Sequence, residues 1–231
     1  MLIGALGDIH GAFDAVQDIM QRHPDVPLWL SVGDIATNDG EYFEPARPLY
    51  WIKGNNEDFD VVAASAAGHP PAPTLHYLSN GGPYQVGPWR VAALGGTFAP
   101  SWYNTPAAAL PPSKGRKAGL GSLKLGKSRD DKRRHFVRDE VVACKALSNI
   151  HLFMTHEAPR PFYPAGRRVD AGKTVLNDVL ASLKPRLHLF GHHHEFTDSM
   201  RQGIRSVGLD VVVKSYLLID ADTFKCERLD T

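Results

Sequence analysis

Short apolar runs alternate with longer, helix-like stretches through the first third of the chain. Each run has at most five residues and is followed at once, or one residue later, by a glycine, which is typical of buried strands. The three runs cover residues 2–6, 28–32 and 49–52. Residues 12–22 carry apolar side chains at helical spacing, and a stretch from about 58 to 67 ends at Gly68, so we predict a helix in each range.

The rhythm changes beyond Gly68, where short runs are separated by glycine and proline rather than by helices. The runs at 75–78, 84–86 and 89–94 therefore predict antiparallel strands. Further helices are predicted at about 137–147 and 173–183, and further strands at 150–154, 187–190, 204–209, 211–219 and 224–229. This order predicts an α/β fold of two stacked mixed sheets flanked by helices, in one domain that spans residues 1–231.

The composition excludes several classes of protein. With 231 residues and 43% apolar content, the chain is long and apolar enough to form one buried core. Its formal net charge of +1 gives it no overall electrostatic field that would attract nucleic acid or membranes. Cys144 and Cys226 stand far apart, which excludes a disulfide framework and a zinc–cysteine site. No apolar run reaches the roughly 18 residues of a membrane span and no charged leader precedes the first strand, so we predict a cytoplasmic protein.

Polar residues of metal-binding type directly follow five of the predicted strands. They are Asp8 and His10, Asp34, Asn55 and Asn56, His156, and the run His192, His193 and His194. The carboxyl ends of strands meet at one edge of an α/β sheet, so these residues are expected in one cleft. Carboxylate, amide and imidazole donors suit Mn, Fe, Zn or Ni.

Each cluster alone has an ordinary structural explanation. A Gly-Asp pair after a strand is usually a turn or a helix cap, and Asn55-Asn56 alone is more often a turn than a ligand. His156 alone is as readily a buried, hydrogen-bonded side chain, and the histidine run a surface cluster. Five such clusters, each after a strand, are hard to obtain by coincidence, so we favour the metal site.

The order of these clusters resembles the calcineurin-like metallophosphoesterase family, whose pattern is DxH, GD, GNH(D/E), a lone His and GHxH. The resemblance runs from residue 8 to residue 194 and implies a four-layer sandwich with two divalent metal ions, Mn foremost. It implies that one ion is held by Asp8, His10, Asp34 and His194, and the other by Asp34, Asn55, His156 and His192. His193, the variable residue of GHxH, is not a ligand in that family.

Three longer segments resemble the RNA lariat-debranching enzymes and their prokaryotic relatives, which act on phosphodiesters. These segments are LHYLSNGGPYQVGPWRVAALGG, RHFVRDEVVACKAL and THEAPR. The resemblance favours a phosphodiesterase that acts on nucleotides or nucleic acid, by in-line attack of a hydroxide bridging the two ions. The catalytic candidates are Asp34, Asn55, Asn56 and His193.

Asn56 departs from the family pattern, which has a histidine near the leaving group at this position. An amide donates a hydrogen bond but cannot release a proton near neutral pH. The loss of general-acid help typically costs about 10²–10⁴ in rate. Asn56 therefore favours diesters or good leaving groups, with His193 as an alternative acid.

A long insertion is predicted at about residues 98–134, which are rich in Pro, Gly, Ser and Lys. From 114 to 134 it holds nine Lys or Arg residues and two acidic ones, a density that predicts contact with a nucleic-acid backbone. A loop that is merely kept soluble by its charge is the alternative. The contact candidates are Lys114, Arg116, Lys117, Arg133 and Arg134, with Trp102 and Tyr103 as stacking groups.

Two other functions stay open at the level of sequence. A phosphomonoesterase or protein phosphatase would use the same metal site, although Asn56 argues against it because a monoester generally needs more help with its leaving group. A non-catalytic scaffold of the same fold would also lack the histidine at this position. Such a scaffold has no reason to keep all seven predicted ligands.

Overall fold

The computed structural model describes residues 1–113, 130–201 and 203–231. In chain order, the strands are β1 (Leu2–Leu6), β2 (Trp29–Ser31), β3 (Leu49–Trp51), β4 (Leu75–Tyr77), β5 (Gly81–Val86), β6 (Trp89–Leu94), β7 (Thr97–Phe98), β8 (His135–Phe136), β9 (Leu152–Thr155), β10 (Leu187–Phe190), β11 (Thr197–Arg201), β12 (Ile204–Gly208), β13 (Ser215–Asp220) and β14 (Cys226–Asp230). The helices are α1 (Phe13–Arg22), α2 (Phe59–Ala66), α3 (Arg138–Lys145) and α4 (Thr174–Leu183), with short 3-10 turns at Ala107–Ala109 and Lys132–Arg134.

The strands form two six-stranded mixed sheets. The first has the order β14-β13-β1-β2-β3-β4 and the second the order β11-β12-β10-β9-β6-β5. Strands β1 to β4 run parallel to one another, as do β6, β9, β10 and β12. Strand β13 runs antiparallel to its neighbours β1 and β14, and β5 and β11 run antiparallel to β6 and β12. The carboxyl ends of the parallel strands in each sheet therefore lie at one edge of that sheet.

Apolar side chains from both sheets fill the space between them. This inner core includes Ile3, Leu30, Val91, Leu152, Leu189 and Val207, all fully buried. Helices α1 and α2 cover the outer face of the first sheet, and α3 and α4 cover that of the second. The fold is thus a four-layer α/β/β/α sandwich, which confirms the predicted fold class.

Some details of the strands differ from the prediction. The run at 75–78 was predicted to be antiparallel, but β4 pairs in parallel with β3 through Leu49 and Leu75. Its pairing is set by the preceding helix, which returns the chain in the same direction. The pattern also missed β11, whose sequence TDSMR is largely polar because it lies at the edge of its sheet. The predicted strand at 211–219 begins at Ser215, after a turn.

The ends of the predicted insertion pair with each other. Thr97 pairs with His135 and Phe98 with Phe136, so β7 and β8 close its neck. The buried Lys53 donates from Nζ to the carbonyl oxygens of Arg133 and His135 at 2.9 and 3.1 Å. Residues 114–129 lie outside the described part of the chain. Within that part, no helix is long and apolar enough to cross a bilayer.

A buried histidine links the strands of the second sheet. Thr155 Oγ1 donates to the carbonyl oxygen of Glu157 at 2.7 Å, so it must accept from Nε2 of His188, 2.9 Å away. Nδ1 of His188 then accepts from Ser206 Oγ at 3.2 Å. Burial lowers the pKa of His188 to about 3, helped by the charge of Arg201. His188 is therefore neutral in the folded protein.

We expect this histidine to make the protein less stable in acid. The unfolded chain takes up a proton on His188 below about pH 6.5 and the folded chain only near pH 3, so the free energy of unfolding falls as pH drops through that window. We expect His188→Gln to reduce the dependence of the free energy of unfolding on pH in this window by up to about 1.4 kcal/mol per pH unit. Urea unfolding curves recorded at several pH values would measure it. An equal change with the surface substitution His69→Gln would contradict this assignment.

Candidate metal centre

The candidate ligands all follow strands at the carboxyl edges of the two sheets. Asp8 and His10 follow β1, Asp34 follows β2, and Asn55 follows β3. His156 follows β9, and His192 and His194 follow β10, in the second sheet. The structure thus brings the seven predicted ligands to the seam between the sheets, in two overlapping groups of donor atoms.

The first group joins Asp8, His10 and His194. Its donor atoms all lie within 4.8 Å of one another. Asp8 Oδ2 is 3.0 Å from His194 Nε2, and the two imidazoles face each other with their Nε2 atoms 3.1 Å apart. Two ring nitrogens and a carboxylate oxygen that point at a common space form a set of donors that fits a divalent transition metal.

The second group surrounds the buried His156. Its Nε2 lies 3.2 Å from Asn55 Oδ1, 3.2 Å from His192 Nδ1 and 3.6 Å from Asp34 Oδ2. The same Asp34 oxygen is 3.8 Å from His10 Nε2 in the first group. Asp34 Oδ2 therefore lies between the two groups, where a bridging carboxylate would be needed.

The hydrogen bond on the far side of His156 sets its tautomer. Nδ1 lies 2.8 Å from the carbonyl oxygen of Val32, which can only accept, so Nδ1 carries the proton. In the neutral ring, Nε2 therefore keeps its lone pair on the side that faces Asn55 and Asp34. A metal-binding histidine is usually oriented in this way by a carbonyl behind it.

Backbone strain is concentrated in these loops. His10, Asp34, His192 and His194 have φ values of 48°, 53°, 70° and 53°, in the left-handed region that non-glycine residues rarely adopt. Such conformations cost of order 1–3 kcal/mol each and cluster at functional sites. The strained backbone at these four positions directs their side chains toward one space.

Glu57 holds two of the loops together, a role that sequence reasoning did not predict. Its buried carboxylate accepts from the N–H groups of Ile35 at 3.0 Å and Gly54 at 3.3 Å, and from the Tyr42 hydroxyl at 2.9 Å. The glycine is required: a Cβ at Gly54 would lie 1.9 Å from Asp34 Oδ1. The acidic residue directly after Gly-Asn-Asn was the only signal for this role.

The protonation of the site follows from its buried carboxylates. Burial raises the pKa of Asp8, but the His194 hydrogen bond and the charge of His156 outweigh it and hold that pKa below its usual value. For His156, burial lowers the pKa, but the carboxylates Asp34 and Asp8 raise it by more, so the net change is upward. His192 behaves differently, because burial lowers its pKa to about 3 and keeps it neutral.

The two remaining catalytic candidates occupy different environments. The side-chain nitrogen of Asn56 lies 3.1 Å from Nδ1 of His10, and its backbone N–H donates to Asp34 Oδ1 at 2.7 Å. His193 stacks on Phe162, with ring centroids 4.5 Å apart. Burial lowers the pKa of His193 to about 4, helped by the charges of Lys173 and His156. A proton-donating role for His193 stays a prediction.

The basic candidates are only partly described by the structure. Lys114, Arg116 and Lys117 lie outside the described residues. Arg133 donates to Asp60 and Asp131, each at 2.7 Å, so carboxylates already compensate its charge. Arg134 is half-buried beside it.

The predicted stacking groups differ in their surroundings. The ammonium group of Lys132 lies over the Trp102 ring at 5.9 Å, whereas Tyr103 packs edge-on against Phe98. Nucleic-acid contact by this loop stays a prediction.

A sandwich of two sheets that gathers carboxylates and imidazoles at its carboxyl edge has the architecture of a phosphoesterase. Residues 1–196 match the Metallophos family, described as calcineurin-like phosphoesterase. This chain belongs to that family, whose members use two metal ions.

Individual relatives agree with this assignment. The lariat debranching enzyme of Schizosaccharomyces pombe is 26% identical over 211 residues, which cover 82% of this chain and 42% of that protein. The chain thus spans less than half the length of that relative. The crystal structure of TT1561 of Thermus thermophilus has a TM-score of 0.63 at 14% identity, covering 99% of this chain and 98% of that one. A novel archaeal phosphodiesterase has a TM-score of 0.51 at 9% identity over the whole of both chains, and both structures show the shared fold.

We expect the bridging position of Asp34 to be visible in metal binding. Asp34→Asn should lower the affinity for both ions by more than about tenfold, since its Oδ2 faces both groups, whereas His10→Asn should weaken chiefly one. Calorimetric titration of the metal-free protein with Mn²⁺ would measure both affinities and the stoichiometry. The matched control is Asp18→Asn on the exposed face of α1. Loss of a single ion in Asp34→Asn would contradict the bridging role.

Proposed function

We propose that this chain is a metal-dependent phosphodiesterase that hydrolyses nucleotide or nucleic-acid diesters. The observation that carries the proposal is the convergence of Asp8, Asp34 and four histidines in two overlapping donor groups at the sheet edges. Phosphoester hydrolysis is the chemistry of the family to which the chain belongs.

The donor set suits Mn, with Fe, Zn or Ni as alternatives, because it mixes carboxylate with imidazole. Two such ions, when bound, supply an activated water and neutralise charge on the phosphoryl oxygens. The chain would hold one ion with Asp8, His10, Asp34 and His194, and the other with Asp34, Asn55, His156 and His192. Asp34 would contribute to both, since its Oδ2 faces donors of both groups.

The residues around the donors keep them in place without taking part themselves. The Val32 carbonyl fixes the His156 ring, and the Glu57 carboxylate fixes the loops that carry Asp34 and Asn55. A site that is rigid before substrate arrives loses little free energy to reorganisation during the reaction.

Asn56 supports the preference for diesters. Its side chain lies beside His10 at the mouth of the first group and cannot supply a proton to a departing alkoxide. Diesters with a stabilised leaving group need the missing acid least. The likeness to a lariat debranching enzyme adds support for a nucleic-acid diester.

Hydrolysis of two chromogenic esters tests this proposal. We expect Mn-loaded protein to cleave bis-p-nitrophenyl phosphate faster than p-nitrophenyl phosphate, and a chelator to abolish both reactions because it removes the ions from the donor groups. The control is the chelated protein reloaded with Mn²⁺, which should recover its rate. Faster cleavage of the monoester would favour a phosphomonoesterase, and no cleavage by metal-loaded protein would favour a scaffold.

Restoring the histidine of the family tests the role of position 56. Asn56→His should raise the rate on diesters of poor leaving groups by about tenfold or more, since general-acid help is typically worth about 10²–10⁴. The rate on p-nitrophenyl esters should change less, because their leaving group needs no proton. Asn56→Gln, which keeps an amide, is the matched control. A histidine variant with no gain on poor leaving groups would place residue 56 away from the leaving group.

A further inference from the structure

A closed loop between β9 and α4 stands beside the candidate metal centre. Its two ends meet where Pro159 pairs with Lys173, and the Lys173 N–H donates to the carbonyl oxygen of Ala158 at 3.0 Å. Inside this neck, the Ala171 N–H donates to the carbonyl oxygen of Phe162 at 2.8 Å. Residues 159–173 thus have the form of a compact Ω-loop, a kind of segment that is frequently functional. We call it the Ω-loop.

The Ω-loop is held in shape by polar contacts. The Asp170 carboxylate accepts from Arg160 Nε at 2.7 Å, from the Phe162 N–H at 2.8 Å and from the Gly172 N–H at 2.9 Å. The guanidinium group of Arg201 donates to the carbonyl oxygen of Pro161. Because these bonds hold the loop backbone, its outward side chains are presented from a fixed base.

Two contacts attach the Ω-loop to the histidine run of the candidate site. The Phe162 ring stacks on His193 and meets Phe190 edge-on, at centroid distances of 4.5 and 5.6 Å. The Ala165 N–H donates to Glu195 Oε2 at 2.7 Å, and Glu195 directly follows His194. The loop therefore forms a wall beside the segment that carries the predicted ligands His192 and His194.

The outer side of this wall carries an aromatic ring and two guanidinium groups. Tyr163 is 58% exposed. Arg167 and Arg168 are exposed, and neither forms an ion pair with a carboxylate in the part of the chain that the structure describes. The other two basic residues of the loop differ, because Arg160 pairs with Asp170 and Lys173 with Glu157. Among the basic residues of the loop, only Arg167 and Arg168 thus carry a charge that no carboxylate in the described part of the chain compensates.

This arrangement is more than a solvated turn. A surface loop kept soluble by charge needs neither an internal carboxylate with three donors nor anchoring beside a metal centre. Arginine recognises phosphate through parallel N–H donors, and a ring face stacks on any base.

We propose that the Ω-loop binds single-stranded nucleic acid next to the cleaved bond, with Arg167 and Arg168 on a neighbouring phosphate and Tyr163 stacked on a base. This inference rests on the proposed phosphodiesterase function and adds the substrate class that the site would take. It places recognition on a wall of the cleft distinct from the basic insertion.

Direct binding tests the two arginines. Anisotropy of a labelled, phosphorothioate-linked RNA oligonucleotide, which resists hydrolysis, would be measured with the whole Mn-loaded chain over a range of salt. Arg167→Ala and Arg168→Ala should each weaken binding and reduce the slope of log affinity against log salt by about 0.7, the value for one phosphate contact on a single strand. The matched control is Arg47→Ala, which removes the same charge from the loop before β3. Slopes equal to that of the control would overturn the proposal.

The aromatic contact has its own test. Tyr163→Leu should weaken binding by about fivefold or more at every salt concentration, whereas Tyr163→Phe should retain it, because stacking needs the ring and not the hydroxyl. Equal affinities of the two variants would overturn the stacking assignment.

Activity separates a failure of this inference from a failure of the proposed function. The measured quantity is the ratio of kcat/KM on the unmodified oligonucleotide to kcat/KM on bis-p-nitrophenyl phosphate. We expect this ratio to fall about fivefold or more in the Ω-loop variants and to stay at the wild-type value in Arg47→Ala. Wild-type protein that cleaves both substrates while all variants keep the ratio would overturn the role of the loop alone. Wild-type protein inert toward every diester would overturn the proposed function.

Discussion

Two carboxylates buried at the seam between the sheets are the constraint on which the rest of the structure depends. Asp8 and Asp34 are only 1% and 2% exposed, and ions removed from water in this way are costly unless opposite charge or donors surround them. Strand ends from both sheets supply those partners as imidazoles and backbone N–H groups. The site thus stabilises a charge arrangement that an apolar seam could not hold.

The same contacts hold the two sheets together at this edge. Elsewhere the sheets meet through apolar side chains, which pack without directional preference. At the seam, His156 of the second sheet donates to the Val32 carbonyl of the first, and the His192 N–H donates to Asp8 at 3.1 Å. These bonds have directions and fix how the sheets are set against each other. The geometry of the donor groups and the stacking of the sheets are therefore coupled at this edge.

Much of this site was predictable because buried parallel strands leave a plain signal, an apolar run followed by glycine and a polar residue. The positions of Asp8 and Asp34 followed from that signal, and the position of His156 followed from the end of its strand and from the family resemblance. The parallel direction of β4 and the position of the largely polar β11 at a sheet edge left no such signal in the sequence. The sequence of the Ω-loop has no hydrophobic periodicity. Its shape depends on three hydrogen bonds to the Asp170 carboxylate, which the spacing of residues does not predict.

The left-handed backbone at His10, Asp34, His192 and His194 bears on how related sequences should be read. Glycine adopts this conformation without steric cost, so at each of these positions it would relieve strain while it removed a donor. A descendant released from chemistry would gain stability by drifting toward glycine there. Glycine at these four places in a relative would therefore mark decay of the site more clearly than the loss of any one ligand.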